Sequence, residues 1–148
     1  MNKVWITRSL PGALKTQSIL KAKGYDAIAA PLLEISPPDT RPEPLPDDAI
    51  LIITSKNGAQ FLSEHTKKRH WPSVAVGDAT ASYMRRLGFE SVTSARGTSQ
   101  DVIALVRSTY AEQTRPIIHV AGRHVRGQIT EQLCASGFKT EHRIFYES

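Results

Sequence analysis

The sequence contains one cysteine, Cys134, among its 148 residues, and therefore has no means of forming an intrachain disulfide bond. No apolar run reaches the length of a membrane-spanning helix, and the first residues lack the pattern of a signal peptide. These absences predict a cytoplasmic protein with no membrane association. Cys134 falls in a predicted helix, where we expect a small packing residue and not a nucleophile.

Common nucleotide-binding and catalytic motifs are also missing. The sequence has no G-x-G-x-x-G, no Walker A loop and no nucleophile elbow. His65 and His70 are five residues apart, as are His119 and His124, and neither spacing is that of a zinc site on a helix. The sequence therefore predicts neither a cofactor nor a bound metal ion.

The charge of the chain is moderately positive. The formal net charge is +5, and the basic residues are scattered along the sequence. Lys67-Lys68-Arg69 is the one basic run, and it stands at a predicted helix end, where we expect a solvated cationic cap. This distribution argues against nucleic acid as a partner and favours a small acidic ligand.

Apolar runs alternate with helix-like stretches along most of the chain. Predicted strands cover residues 3–7, 26–30, 50–53, 74–76, 91–93, 117–120 and 139–146, and predicted helices cover residues 10–23, 56–68, 78–87, 98–110 and 124–136. This alternation is typical of parallel sheets with right-handed crossovers. We expect an α/β fold: a flavodoxin-like, doubly wound parallel sheet of five strands, plus a β-α-β piece of a second, similar domain.

A proline-rich stretch divides the chain. Residues 36–48 contain five prolines and predict an extended connector. It separates a β-α-β portion at 1–35 from a parallel α/β domain at 49–142, and residues 143–148 are expected to form a return connector. Residues 1–35 are too few to bury their own apolar faces. We expect them to belong to a second domain whose remainder lies outside this sequence, so that the chain is a fragment, a truncated relative or part of a swapped oligomer.

Small and polar residues stand where predicted strands end. The segments are Thr54-Ser55-Lys56-Asn57, Gly77-Asp78-Ala79-Thr80, Thr98-Ser99-Gln100-Asp101 and Gly122-Arg123, with Thr7-Arg8 in the first piece. In a parallel sheet such positions share the carboxyl edge, where ligands bind and helix N-termini attract anions. A second interpretation stays open for each: the hydroxyl, amide and carboxylate groups serve only as helix caps, and the Arg side chains are merely solvated.

In this order the motifs resemble those of the uroporphyrinogen-III synthase family, and the resemblance covers the whole chain. The matching segments are Ile6-Thr7-Arg8, Pro31-Leu32-Leu33-Glu34-Ile35, Ile53-Thr54-Ser55-Lys56-Asn57, Val74-Ala75-Val76-Gly77-Asp78-Ala79-Thr80-Ala81, Ala95-Arg96-Gly97-Thr98-Ser99, Gly122-Arg123 and Ile144-Phe145-Tyr146. The resemblance implies two α/β domains joined by two connectors, with a cleft between them. One domain is built from both ends of the family's chain, and this sequence stops about where the family returns to it.

The resemblance also implies an activity, that of a cyclising lyase in porphyrin and haem biosynthesis. Such an enzyme closes the linear tetrapyrrole hydroxymethylbilane to uroporphyrinogen III, with inversion of the last pyrrole ring, loss of water and no cofactor. Tyr146 is the implied catalytic residue, a general acid for departure of the hydroxyl, although aromatic packing between domains is an equal alternative. The implied residues for binding the polycarboxylate substrate are Thr7, Arg8, Ser55, Lys56, Asn57, Gly77, Thr80, Thr98, Ser99, Gly122 and Arg123.

Other functions and the oligomeric state stay open at this stage. The chain is an enzyme or a fragment of one, or else a truncated relative that binds a tetrapyrrole or another acidic ligand without catalysis. An unrelated flavodoxin-like signalling domain is less favoured, because Thr7-Arg8 and Thr54-Ser55 stand where a receiver domain needs its acidic cluster. We expect the full-length form to be a monomer and the present chain to self-associate through residues 1–35.

Overall fold

The structure is a computed structural model, and it describes residues 2–148. The chain divides into two compact units: unit 1 runs to Ser36 and includes Glu147–Ser148, and unit 2 is Pro37–Tyr146. Unit 1 holds β1 (Lys3–Ile6), α1 (Gly12–Ala22) and β2 (Asp26–Ala29). Unit 2 holds β3 (Ile50–Ile53), α2 (Lys56–His65), β4 (Ser73–Ala75), α3 (Asp78–Arg86), β5 (Val92–Ser94), α4 (Ser99–Thr109), β6 (Ile117–Gly122), α5 (Ile129–Ala135) and β7 (Thr140–Tyr146).

Unit 2 contains the predicted doubly wound parallel sheet of five strands, in the order β5-β4-β3-β6-β7. Counted from the first strand of this unit, the order is 3-2-1-4-5, whereas a flavodoxin-like sheet has the order 2-1-3-4-5. The difference arises because the chain makes two crossovers in one direction before it returns past β3. The direction changes between β3 and β6, which makes the carboxyl ends of these two strands the switch point, where ligands bind in such sheets.

The core of unit 2 lies on both faces of this sheet. Strand β3 is fully buried along its length, and its side chains alternate between two apolar clusters. Ile53 belongs to the cluster that includes Leu62 of α2, and Ile52 belongs to the opposite cluster, which includes Val106 of α4. Burying each such isoleucine stabilises the fold by about 1.5–3 kcal/mol. The position of β3 is therefore strongly specified.

Several predicted boundaries differ from the structure by one to five residues, and the backbone gives a physical reason for three of the differences. Helix α2 ends at His65 and not at residue 68, because Thr66 has an extended backbone (φ −145°, ψ 149°). Helix α5 begins at Ile129 and not at residue 124, because Gly127 has a φ of +80°, which a right-handed helix does not accommodate. Residues 143–146, assigned above to a return connector, continue strand β7, because they pair with the end of β6.

The proline-rich residues are attached to unit 2. Leu45 is buried, and the indole nitrogen of Trp71 donates a hydrogen bond to the carbonyl oxygen of Pro46 at 2.8 Å. The guanidinium group of Arg143 donates to the carbonyl oxygen of Glu43 at 3.2 Å. Prolines remove backbone donors from this stretch, so its carbonyl groups are satisfied by side chains of the sheet and its loops.

Unit 1 buries little apolar surface. Its two parallel strands pack one face against α1, where Ile6, Ala13 and Ala27 form a small core. Side chains of successive strand residues point to opposite faces, so Trp5 lies on the other face, and it is 67% exposed. Leu14 of α1 is also half exposed. Unit 1 thus presents an uncovered apolar surface.

We propose that the chain in its present length self-associates through this apolar surface of unit 1. Trp5→Thr keeps a good strand former while removing the exposed indole, and should shift the assembly towards monomer in sedimentation velocity. Val125→Thr is the matched control, because Val125 is 39% exposed but belongs to unit 2. A wild-type chain that stays monomeric at every concentration would contradict the proposal.

Candidate functional site

The five strands of unit 2 bring five motif positions to one edge of the sheet. Ser55 follows β3, Gly77 follows β4, Thr98 follows β5, and Gly122 and Tyr146 are the last residues of β6 and β7. Because all five strands are parallel, these are carboxyl ends on the same side of the sheet. The structure thus places these predicted positions along a single edge, with β3 and β6 at its centre.

Tyr146 is held at this edge by contacts to three neighbours. Its hydroxyl oxygen lies 3.1 Å from Oγ of Ser55. Its ring stacks on Phe61 of α2, with 5.8 Å between the ring centroids and 22° between the planes. Its backbone carbonyl accepts a hydrogen bond from the N–H of Arg123 at 3.1 Å. The side chain expected to be catalytic therefore occupies a defined position beside two predicted binding residues.

Gly122 makes room for the ring of Tyr146. A Cβ atom at this position would lie 2.6 Å from Cε2 of Tyr146 and 2.8 Å from Cζ, closer than any real side chain approaches another. The sequence interpretation assigned Gly122 to substrate binding. The structure gives it a packing role, because the missing side chain lets the tyrosine ring lie over the end of β6.

Ser55 is the N-cap of α2. Its Oγ accepts the N–H of Gly58 at 3.0 Å, which confirms the capping interpretation of Thr54-Ser55-Lys56-Asn57. Lys56 is exposed in the first turn, and Asn57 beside it is partly exposed. Binding of a ligand by Ser55, Lys56 and Asn57 stays a prediction, and it has to coexist with the cap.

The start of α3 differs from that of α2. Gly77 is its N-cap and provides no side-chain cap, and nothing lies within 4 Å of the place where a Cβ would stand. The start of α3 thus has no side-chain cap on its first N–H groups, and the carboxylate of Asp78 stands in its first turn. Thr80 is buried, so its side chain is not accessible for the predicted contact with a ligand.

The start of α4 already carries its own anion. The N–H and the hydroxyl of Thr98 both donate to Oδ2 of Asp101, at 2.6 and 2.9 Å, which confirms the predicted capping box. The backbone hydrogen bond from Thr98, followed by the one from its side chain, lowers the pKa of Asp101. Ser99 packs closely under Gly127 of the loop before α5. A ligand carboxylate at Thr98 would compete with Asp101.

Thr7 and Arg8 belong to unit 1, whereas the other predicted site residues belong to unit 2. The guanidinium group of Arg8 lies over Gly12 in the first turn of α1, where a Cβ would approach it to 2.7 Å. It also donates to the hydroxyl of Thr16 at 3.4 Å. Arg8 is thus engaged with the helix of its own unit, and its predicted contact with a ligand stays a prediction.

A buried histidine, His119, lies beside the partly buried His142; the sequence interpretation considered His119 only as a metal ligand, paired with His124, and did not consider His142. His119 of β6 is 2% exposed, and its Nε2 lies 3.1 Å from the hydroxyl of Thr54. Its ring is 5.5 Å from His142 of β7, whose Nε2–H donates to the carbonyl of Gly122 at 2.9 Å. Burial, with a smaller effect of His142, lowers the pKa of His119 to about 4. The signal in the sequence was a histidine within the apolar run Ile117–Val120.

Two cavities in unit 2 lie along the proline-rich residues. One has a volume of about 450 Å³ and is lined in part by Arg41, Leu45 and Trp71. The other has a volume of about 410 Å³ and is lined in part by Arg41, Phe61 and Phe145. Neither is lined by Ser55, Gly77, Thr98, Gly122 or Tyr146. Within residues 2–148, no three His, Cys, Asp or Glu side chains are grouped as a metal site requires.

Comparison with known proteins decides the family. The family model described as uroporphyrinogen-III synthase HemD matches residues 15–148. The chain belongs to the uroporphyrinogen-III synthase family. The match covers the site residues of unit 2, but it begins after Thr7 and Arg8. No curated protein sequence matches the chain.

Solved structures of uroporphyrinogen-III synthases share this fold. The enzyme from Helicobacter pylori superposes with a TM-score of 0.62 at 18% identity, over 99% of this chain and 61% of its own. The enzyme from the extremely thermophilic bacterium Thermus thermophilus gives a TM-score of 0.53 at 15% identity, over 98% of this chain and 61% of its own. The chain thus corresponds to about three fifths of these relatives. In the described residues of this family member, no helix is long and apolar enough to cross a bilayer.

Gly122→Ala should displace the ring of Tyr146 and destabilise the fold by about 1–3 kcal/mol, because the added methyl group overlaps Cε2 and Cζ. Urea unfolding gives the free energy, and near-ultraviolet circular dichroism reports the changed tyrosine packing. Gly77→Ala is the matched control, since its methyl group enters open space at an extended backbone position. Equal stability of the two variants would show that Gly122 has no packing role.

Acid should weaken the fold through His119. Its pKa is lowered on folding, so the unfolded chain binds a proton more readily. Stability is full above pH 6.5 and falls as the pH approaches 4, by up to about 3 kcal/mol. The difference between wild type and His119→Gln in urea unfolding, measured from pH 7 to 4, isolates this contribution from that of the carboxylates. Identical pH profiles of the two proteins would disprove it.

Proposed function

We propose that this chain is a uroporphyrinogen-III synthase or a part of one. The reaction is cyclisation of hydroxymethylbilane to uroporphyrinogen III, with inversion of the last pyrrole ring and loss of water. The observation that carries this proposal is the pairing of the Tyr146 hydroxyl with Ser55 at the start of α2, in a member of this family. A phenol held at a switch point is available to a ligand that occupies the carboxyl edge.

The substrate carries carboxylates, and the carboxyl edge supplies groups that attract them. The start of α3 at Gly77 has no side-chain cap, and the segments that follow β3, β5 and β6 contain the exposed cations Lys56, Arg96 and Arg123. One helix N-terminus contributes only about 0.3–1 kcal/mol towards an anion. Binding of a polycarboxylate therefore requires several such groups together, including bidentate contacts from arginine.

In the proposed mechanism, Tyr146 acts as the general acid. Its hydroxyl proton passes to the leaving hydroxyl group of hydroxymethylbilane, and water departs. The resulting azafulvene cation is attacked by the last pyrrole ring to give a spiro intermediate, which rearranges to the inverted ring and closes the macrocycle. The cationic macrocycle then loses one proton, which returns to the phenolate oxygen of Tyr146, so that the product is neutral and the acid is restored. The main task of the protein is to hold the linear chain in one folded conformation and to keep water out while the ring closes.

The length of the chain bears on whether it is active alone. It spans 61% of the solved synthases, and we propose that unit 1 is one portion of a discontinuous domain that further residues complete. The same fact supports a second candidate function, a truncated relative that binds a tetrapyrrole or another acidic small ligand without catalysis. Cytoplasmic location and a monomeric full-length form stay predictions.

A turnover assay with hydroxymethylbilane tests the proposal, with products separated into uroporphyrinogen III and isomer I, which forms without enzyme. Wild type should give isomer III, and Tyr146→Phe should lower kcat by about 10²-fold or more through loss of the acid. Tyr110→Phe is the control, because Tyr110 lies at the far end of α4.

Calorimetry with a uroporphyrin-like polycarboxylate separates the two candidates. Isomer I alone, together with binding that Lys56→Ala and Arg123→Ala weaken, would favour the binding protein. Isomer I alone without binding would contradict both.

A further inference from the structure

We infer that Ser55 is a positioning residue that donates its hydroxyl hydrogen to Tyr146, so that the phenolic hydrogen of Tyr146 points away from Ser55 and towards the ligand. The inference rests on the proposed function, in which Tyr146 is the proton donor. It differs from the sequence interpretation, which placed Ser55 in direct contact with substrate. The distance of 3.1 Å between Oγ of Ser55 and the hydroxyl oxygen of Tyr146 is compatible with either atom as the donor. The inference assigns the donor to Ser55.

The first argument is the hydrogen-bonding capacity of Ser55. A serine hydroxyl has one hydrogen and two lone pairs. One lone pair of Oγ accepts the N–H of Gly58 at 3.0 Å, as the cap of α2. The other polar neighbour of Oγ in the described structure is the hydroxyl oxygen of Tyr146. The hydrogen of Ser55 is therefore satisfied within the protein if it is donated to Tyr146.

The second argument is the polarity of the helix start. The N-terminus of α2 is a region of N–H groups and carries a partial positive charge. An oxygen lone pair is favourable there and a hydroxyl hydrogen is not. The Ser55 hydroxyl dipole is thus stabilised with its oxygen towards Gly58 and its hydrogen on the outer side, where Tyr146 lies.

The third argument is the fixed ring of Tyr146. Phe61 stacks on the ring, the ring packs closely against Gly122, and the backbone carbonyl of Tyr146 accepts a hydrogen bond from the N–H of Arg123. The phenolic hydrogen prefers the plane of the ring, so it has two favoured positions. If Ser55 donates from one side, the phenolic hydrogen takes the position on the other side.

This arrangement prepares Tyr146 to give up its proton. A hydroxyl that accepts one hydrogen bond becomes a stronger donor in the next, because the bonds polarise each other. The negative charge that remains on the phenolic oxygen after proton transfer keeps the Ser55 hydrogen bond, which is then charge-assisted. In the opposite arrangement the proton of Tyr146 would be bound to Ser55 and less available to the substrate.

The test uses two isosteric caps. Ser55→Asn and Ser55→Asp are both good N-caps for α2, so both variants should have melting temperatures near that of wild type. Asparagine retains N–H donors for Tyr146, whereas an aspartate carboxylate only accepts and would bind the phenolic hydrogen itself. Ser55→Thr keeps the hydroxyl and should behave like wild type. If either isosteric variant fails to fold, Ser55→Ala replaces it in the comparison, because alanine removes the donor without adding an acceptor.

Tyrosine Raman spectroscopy of the full chain reads the hydrogen-bond direction without turnover. The Fermi doublet of Tyr146, obtained as wild type minus Tyr146→Phe, should have the intensity ratio of an acceptor. The ratio should persist in Ser55→Thr and Ser55→Asn, change to that of a donor in Ser55→Asp, and lose its acceptor character in Ser55→Ala. A donor ratio in wild type, or no change between Ser55→Asn and Ser55→Asp, overturns the inference.

Kinetics give the second measurement. In the hydroxymethylbilane assay at saturating substrate, kcat of Ser55→Asp should be lower than that of Ser55→Asn by about 10²-fold, because the acid is blocked. The added carboxylate also repels the polyanionic substrate, so KM of Ser55→Asp should rise, and the comparison therefore rests on kcat. Equal kcat values would overturn the positioning role. If wild type forms only isomer I while its Raman ratio is that of an acceptor, the proposed function fails and the direction of the hydrogen bond stands.

Discussion

The burial of β3 is the constraint on which the rest of unit 2 depends. All four of its residues are fully buried, so the strand requires neighbours on both edges and helices on both faces. The crossovers must therefore reverse direction beside it, and the reversal creates the switch point between β3 and β6. Polar side chains first become possible at Thr54 and Ser55, where the strand leaves the core. The position of the candidate site follows from the core.

The three helix starts at this edge look alike in sequence but differ in electrostatics. Ser55 caps α2 with a neutral hydroxyl, Asp101 caps α4 with a carboxylate, and Gly77 leaves α3 without a side-chain cap. A polyanion meets the negative charge of Asp101 at α4 and of Asp78 in the first turn of α3, whereas the first turn of α2 has no acidic residue and contains Lys56. The attraction for anions thus differs from one helix start to the next, which favours one orientation of a ligand whose carboxylates are unequally spaced.

The sequence predicted the elements that depend on the apolar pattern. It did not predict features that depend on contacts between residues far apart in the sequence. Strand β3 was predicted with its observed limits, because an isolated run of four large apolar residues has few other interpretations. The start of α5 was misplaced, because the positive φ of Gly127 and the close approach of Ser99 to it are not visible in the local sequence pattern. The contact of Gly122 with Tyr146 depends on the register of β7 on β6, including an irregularity after Ala121, and no local pattern encodes it.

Thr54 and Ser55 connect the chemistry of the edge to the stability of the core. Successive residues of an extended chain point to opposite sides, so Thr54 reaches down to His119 while Ser55 reaches Tyr146. A proton on His119 would place an uncompensated charge inside the sheet and strain its contact with Thr54. The adjacent residue Ser55 shares that backbone, and its hydrogen bond is the one that orients the phenol. The contact that neutral His119 makes inside the sheet and the contact that Tyr146 makes at the edge are therefore made by two consecutive residues at the end of one strand.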